Sequence, residues 1–508
     1  LYALRVSGLF ILLAGSFGIV YQSLLWLEKN IQAKLDLSYR YVWILTGMTA
    51  STGYYFWGMT TPSYNFYALV GILIASTGFM NILNAQKIKI FSVILLAVGT
   101  VILYIGKPTS AVFFVFSIGI WISIAHLLKV IQIRTLVISL LWAGATFFFL
   151  FFIYIVCVYG SISNYLTHIK KVQELLSQVG YSSTVLKGNI INSVLEEVSK
   201  FYFLVPYSLI VIAFLMYQKI QKNNIISFNI TDKAYFYSVS FLIVFAGFFS
   251  HKGISWKWAW GYMAILYAVL AYIIFYWARI QKNMKNIFVF ILLLLLISTS
   301  YVFGTNNPFN IALAGIYIVI GIALTGVAFF IQQFTKSILP TLLSAILVCI
   351  FSLSTLGQFF MRPYRSEAKL NQHKNKLNIL GDIYVDTHHF EYARQIEEIK
   401  KLNPDIDKYD YLVDISGKSG ANLILNKKYL GQSWIVWGRT DTYYHFANSI
   451  LKTIPAHQFK KSILLTNENI PVQKILKDIP ISFPDGYIYV GKVFAMPEKE
   501  HHLVWIPK

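Results

Sequence analysis

SYNFYALVGILIASTGFMNILNAQKIKIFSVILLAVGTVILYIGKPTSAVFFVFSIGIWISIAHLLK, residues 63–129, decides the fold. It holds three apolar runs, at 64–83, 88–105 and 110–128, each near the ~20 residues a helix needs to cross a bilayer. The runs are apolar all round, which suits lipid or a large buried core and not the surface of a water-soluble domain. Lipid also demands that every backbone polar group be satisfied within the segment, so each run reads as a helix.

Working outward, the same window finds twelve candidate spans: 3–22, 40–57, 64–83, 88–105, 110–128, 134–158, 201–217, 234–250, 259–277, 286–303, 309–333 and 338–360. A hydrophobic fraction of 56% and a mean hydropathy of +0.59 agree with a polytopic α-helical membrane protein. The acids mark where that region stops. Only Glu28, Asp36, Glu174, Glu196, Glu197 and Asp232 precede Arg362, and sixteen follow. The expected layout is a transmembrane helical domain at 1–361 and a soluble α/β domain at 362–508.

The net charge of +21 does not indicate nucleic acid, because the excess sits mainly in short loops between apolar runs. Alternating those loops between two faces puts Lys29, Lys34, Arg40, Lys87, Lys89, Lys129, Arg134, Lys219, Lys222, Lys233, Arg279, Lys282, Lys285 and Lys336 together. The opposite face holds only Lys107, Lys252 and Lys257 in its short loops, with Lys170, Lys171, Lys187 and Lys200 in the long connection 159–200. The richer face is expected to be cytoplasmic, which puts the C-terminal domain outside. The connection 159–200 carries Tyr165, Ile169, Val172, Leu175, Leu176 and Val179 at helical spacing and is expected on the outer membrane surface. Cys157 and Cys349 lie in apolar runs and imply neither a disulfide framework nor a metal cluster. The chain opens at Leu1 without a recognisable signal peptide, and an N-terminal piece is expected to precede it.

Beyond residue 361 short runs alternate. Strands are expected at 379–385, 409–415, 421–425, 433–437, 462–465 and 487–494, and helices at 388–402, 440–453 and 471–478. Such alternation predicts a sheet flanked by helices.

The candidate binding residues lie in the outer short loops, which are polar and shaped by Gly and Pro. Lys107 stands in a turn of almost no length, where its ammonium either meets a lipid phosphate or simply snorkels to the interface. Thr109 and Ser110 begin the next helix, as anion donors or as caps. Tyr64 and Asn65 follow Pro62 at a helix entrance. Asn306 and Asn307 offer amides to sugar hydroxyls or form an ordinary turn before Pro308. His251 and Lys252 complete the set, and Trp256, Trp258 and Trp260 read as an interfacial aromatic belt. In the soluble part, Asp382, Asp386 and the run from Asp414 to Gly417 read as strand-end turns. The adjacent pairs at 388–389 and 501–502 lack metal-binding spacing, so no metal site is expected.

Taken together, Pro-Ser-Tyr-Asn at 62–65, Gly-Lys-Pro-Thr-Ser at 106–110 and Gly-Thr-Asn-Asn-Pro at 304–308 resemble bacterial integral-membrane glycosyltransferases of the GT-C superfamily, family 39-like. Asp-Ile-Ser-Gly at 414–417 and Ser-Trp-Ile-Val-Trp-Gly at 433–438 are similar to the soluble tails of such proteins. The likeness implies an inner-membrane enzyme that transfers a sugar from a polyprenyl-phosphate donor to an envelope acceptor on the outer face. Lys107 matches the phosphate-binding role. The acidic motif usual in the first outer loop of that family has no counterpart here, so the catalytic base is unassigned and is expected upstream of Leu1. A transporter or flippase of lipid-linked precursors and a non-catalytic envelope assembly protein are the alternatives.

Overall fold

The computed structural model describes residues 2–31, 37–52, 54, 64–85, 87–131, 133–178, 284–302, 372–379, 382–418, 420–431, 436, 440–496 and 498–508. Its first helices are α1 (Tyr2–Ile31), α2 (Leu37–Ala50), α3 (Tyr64–Asn84), α4 (Ile90–Gly106), α5 (Pro108–Leu127), α6 (Ile133–Tyr159), α7 (Ile162–Gln178) and α8 (Met284–Val302). They cover seven of the expected spans and the first part of the amphipathic connection, whose residues 179–200 lie outside the described residues. The expected spans at 201–217, 234–250, 259–277, 309–333 and 338–360 lie outside the described residues. Four of the described helices, including α3, α5 and the long α6, are long and apolar enough to cross a membrane. The large exposed side chains of α5 and α6, among them Phe116, Leu141, Trp142, Phe148 and Phe149, would be costly in water and suit lipid.

Small residues set the packing of α3 on α4. A Cβ built on Gly99 would lie 2.2 Å from the backbone nitrogen of Ala75, and one on Gly106 would lie 2.7 Å from that of Ala68. Between helices in lipid the driving force is close packing and not the expulsion of water, so backbones approach where side chains vanish. Polar groups close the remaining gaps. The Trp121 indole N–H donates to the Val289 carbonyl at 2.6 Å, which fixes α5 to α8. The Asn84 amide donates to the Gln22 carbonyl at 2.9 Å, which pins α3 to α1. Several hydroxyls, such as Thr100 and Ser298, return their protons to the carbonyl four residues back. Arg40 pairs with Glu28 at 3.0 Å, so one of the few acids of this region is spent on a neighbouring cation.

These helices, α1 to α6 and α8, form one compact unit, and α7 groups with the C-terminal residues in a second. Within the second unit α7 packs against the helix at 441–452. Tyr165 of α7 is buried, Ile169 and Val172 are half-buried, and Ile162 and Leu166 are exposed.

The C-terminal residues form a two-stranded ribbon and a five-stranded sheet. The ribbon pairs β1 (Asn375–Asn378) with β2 (Asp382–Val385). The sheet has the order β4-β3-β5-β7-β6, from β3 (Tyr411–Asp414), β4 (Lys428–Tyr429), β5 (Ser462–Asn467), β6 (Tyr487–Ala495) and β7 (Glu500–Pro507). β3 runs parallel to both β4 and β5, and β7 is antiparallel to β5 and β6. The helices are α9 (Thr387–Leu402), α10 (Ala421–Leu425), α11 (Asp441–Lys452), α12 (Ala456–Phe459) and α13 (Val472–Ile475). Alternation along β3 and β5 splits the core into two layers, because successive side chains face opposite ways. Leu412, Ile463 and Leu465 meet Ile396 of α9 and Ala421 and Leu425 of α10. Val413 and Leu464 meet Ala447 and Leu451 of α11 and Ile475 of α13. Helices therefore cover both faces of the sheet, as the sequence predicts.

One expected strand is a helix. Residues 421–425 form α10, with Ala421 and Leu425 buried one turn apart and Leu423 42% exposed. Asn426 in the left-handed region then ends the turn. An apolar run of five has no period long enough to separate strand from helix. Strands at Asn375–Asn378, Lys428–Tyr429 and Glu500–Pro507 are additions to the expected set, the last because polar Glu500 and His502 stand on its buried face, where alternation would place apolar residues. The expected strand at 433–437 lies outside the described residues save for Val436.

Candidate functional site

The site begins with one peptide between two helices. Pro108 disfavours a helical conformation for the residue before it and is itself suited to the first turn of a helix. Lys107 is accordingly extended, at φ −147° and ψ 94°, and forms both the end of α4 and the start of α5. Its N–H donates to the Leu103 carbonyl at 2.7 Å and its carbonyl accepts from the Ala111 N–H at 3.1 Å. The turn is therefore short, and its backbone is held by a hydrogen bond on either side.

Gly106 then decides what the lysine meets. A Cβ there would lie 2.8 Å from the Tyr64 carbonyl, so glycine lets the end of α4 press on the first turn of α3. The Lys107 ammonium stands 5.8 Å from the centre of the Tyr64 ring and 4.6 Å from that of Tyr301 on α8. Each ring face attracts a cation. Lys107 is 4% exposed, and no carboxylate forms an ion pair with it among the described residues. Helix ends of both polarities converge nearby. The carboxyl end of α4 favours the cation, and the amino ends of α3 and α5 favour an anion.

Of the residues expected here from sequence, Lys107, Tyr64, Asn65 and Ser110 come together. Asn65 contributes its carbonyl, which accepts from the Tyr301 hydroxyl at 3.4 Å. Ser110 is buried and donates to the Tyr301 carbonyl at 3.4 Å, so it ties α5 to α8. Thr109 faces outward on the first turn of α5 and is not gathered with the others. His251, Lys252, Asn306 and Asn307 lie outside the described residues. Tyr301 is a member of the site that sequence reasoning missed. Its signal in the sequence is its place three residues before Gly304 and its outer loop, at the same end of the helices as the other loops.

In the C-terminal unit, Asp386 caps α9 by accepting from the His389 N–H at 3.0 Å, and its other oxygen meets the His389 ring at 2.7 Å. These bonds and the His389 charge hold the Asp386 carboxyl below its ordinary range despite partial burial. His501 is bonded to Glu468 at 2.9 Å. Among the described residues no three His, Cys, Asp or Glu side chains are grouped to share a metal ion. No protein-family model, curated protein or solved structure matches this chain.

Proposed function

We propose that this chain is an integral-membrane glycosyltransferase that moves a sugar from a polyprenyl-phosphate donor to an envelope acceptor, with twelve spans and an extracytoplasmic C-terminal domain. The single observation that carries the reading is the Lys107 ammonium, held by a one-residue turn against Tyr64 and Tyr301 at one end of the helices. A buried cation costs several kcal/mol unless an anion or a polar partner compensates it. Two aromatic faces compensate in part, and a lipid phosphate arriving at the membrane edge completes the pairing. The lysine census of the loops supports the orientation, because Lys107 belongs to the cation-poor face, where donor lipids would be used.

In this reading the acceptor oxygen forms a bond to the anomeric carbon as the bond from that carbon to the donor phosphate breaks. The acceptor proton passes to a base, and polyprenyl phosphate leaves. Lys107 stabilises the charge that grows on the leaving phosphate, an effect that is greater in the transition state than in the bound donor. The base is not assigned to any residue.

The test is turnover of a radiolabelled polyprenyl-phosphate hexose by the protein in proteoliposomes, for wild type, Lys107→Ala and Lys107→Arg. Loss of an electrostatic contact to the leaving group is expected to lower kcat by about 100-fold in the alanine variant, with partial recovery in the arginine variant. Equal turnover by wild type and the alanine variant would remove Lys107 from the reaction. Lipid movement across the bilayer without sugar transfer would replace the transferase with a flippase.

A further inference from the structure

The turn after α6 brings a second helix close to the end of an apolar span. α6 keeps a stripe of exposed apolar side chains, Phe148, Phe152 and Val156, almost to its last residue, Tyr159. α7 starts at Ile162, and three residues of chain reach at most about 10 Å. The link is tied to itself. Gly160 takes a left-handed conformation at φ 75°, the Asn164 amide donates to the Tyr159 carbonyl at 2.9 Å, and the Tyr165 N–H donates to the Ser161 carbonyl at 3.2 Å. The Tyr159 ring lies 5.2 Å from that of Tyr165 and 5.3 Å from that of His168. The first turn of α7 is therefore kept near the level at which α6 leaves the hydrocarbon.

α7 has two apolar stripes, and one of them is bare. The sequence sets Tyr165, Ile169 and Val172 against lipid, yet in the structure these form the buried and half-buried side, and α7 packs against α11. Side chains four residues apart on a helix stand one above the other. Ile162 and Leu166 are such a pair on the adjoining side, at 50% and 60% exposure, and Lys170 stands one turn further on. Thr167 and Lys171 face away from both stripes and are exposed.

Area and charge decide what covers the bare stripe. Two aliphatic side chains offer far less than the ~1,200 Å² that a stable protein interface buries. A bilayer sets no such minimum, and the chain already enters it a few residues earlier. Exposed on α7 are also Lys170 and Lys171, against the single acid Glu174. Apolar side chains flanked by lysines suit a helix lying in the headgroup layer, with the lysine stems over acyl chains and their ammonium groups on lipid phosphates.

We propose that α7 is a two-sided strap, with Tyr165, Ile169 and Val172 on the C-terminal domain and Ile162, Leu166 and Lys170 in the headgroup layer of an anionic membrane. The inference rests on α6 crossing a membrane and not on sugar transfer, so it stands or falls apart from Lys107.

The experiment uses the full chain, one copy to a lipid nanodisc, with Cys157→Ser and Cys349→Ser as the background. A spin label on Leu166→Cys, Thr167→Cys or Phe148→Cys is scored for collision with oxygen, which concentrates in lipid, and with a water-soluble nickel chelate. Oxygen is expected to dominate at 148 and 166, and nickel at 167. The label at 148 reads the span by itself. Oxygen at 148 with nickel at 166 would overturn the strap and leave the span standing, and nickel at 148 would remove both. Protection of 166 from both reagents would mean that protein covers the stripe, which also overturns the proposal. The unlabelled chain is read by amide exchange of residues 163–174 in nanodiscs of phosphatidylglycerol or of phosphatidylcholine. Exchange is expected to be about 30-fold slower on the anionic lipid, from ~1 kcal/mol for each of two lysines, and Lys170→Gln with Lys171→Gln is expected to abolish the difference. Equal exchange of the unsubstituted chain on the two lipids would exclude the anionic headgroup and with it the proposal.

Discussion

Asp414→Asn is expected to remove a pH dependence from the stability of the C-terminal domain. Burial pushes the Asp414 carboxyl up to about 7, against an ordinary value of 3.8, and its bonds from Ser416 and Tyr429 only partly oppose that rise. The sign follows from which state releases its proton first. Below about pH 4 both states hold the proton and the folded domain bears no penalty. As pH rises from about 4 to 7 the unfolded chain ionises while the folded carboxyl stays protonated, so stability falls, and above about pH 8 the loss is complete. About three pH units separate the two values, and at ~1.4 kcal/mol for each the loss amounts to about 4 kcal/mol. Asparagine keeps the oxygen that accepts from Ser416 and carries no titrating proton. The variant should therefore gain on wild type by about 4 kcal/mol between pH 4 and pH 8. The assay is pulse proteolysis of the full chain in urea at each pH, read at cleavage sites in the domain, with the difference between the two proteins as the measured quantity. Asp386, whose carboxyl is held low by His389, changes stability in the opposite direction but is common to both proteins and cancels. A difference that stays constant from pH 4 to pH 8 would refute the account of a protonated, buried carboxyl.

Three further outcomes follow from packing and hydrogen bonding. Gly99→Ala forces a methyl group against the Ala75 backbone and is expected to destabilise the α3–α4 pair by about 1–3 kcal/mol, seen as a lower melting temperature in detergent. Tyr301→Phe keeps the ring over Lys107 and should retain most transfer activity, whereas Tyr301→Leu removes the ring and should lower activity towards that of Lys107→Ala. Equal activity of the two Tyr301 variants would exclude the ring as the relevant group. Asn448→Ala leaves the carbonyls of Ile475 and Lys477 without their amide donor, at 2.8 and 2.6 Å, and should cost about 1–3 kcal/mol. Faster amide exchange around 470–479 is the measurement that checks it.

Hydropathy alone located α1 to α6 and α8 to within a turn or so at most ends, because a long apolar helix satisfies its own backbone and needs no partner to be recognised. Loop charges likewise set Lys107 apart, since the other residues in the short loops of that face are almost all uncharged. The shift from acid-poor to acid-rich sequence near residue 361, and the alternating runs beyond it, indicated helices on both sides of a sheet. Those readings depend on composition and period, which are local properties.

What only the tertiary structure decided are the meetings between distant positions. Tyr301 reaches Lys107 because α8 packs on α5 and Gly106 lets α4 close on α3, and no period in the sequence encodes either contact. The run from Asp414 to Gly417 reads as a plain strand-end turn until β4 and β5 take their places on either side of β3. Only then does Tyr429 of β4 reach that aspartate, and Asn467 at the end of β5 bond the Ser416 carbonyl beside it. Burial, and with it the raised carboxyl of Asp414, is a property of the assembled sheet, because desolvation depends on everything that surrounds a group and not on the residues beside it.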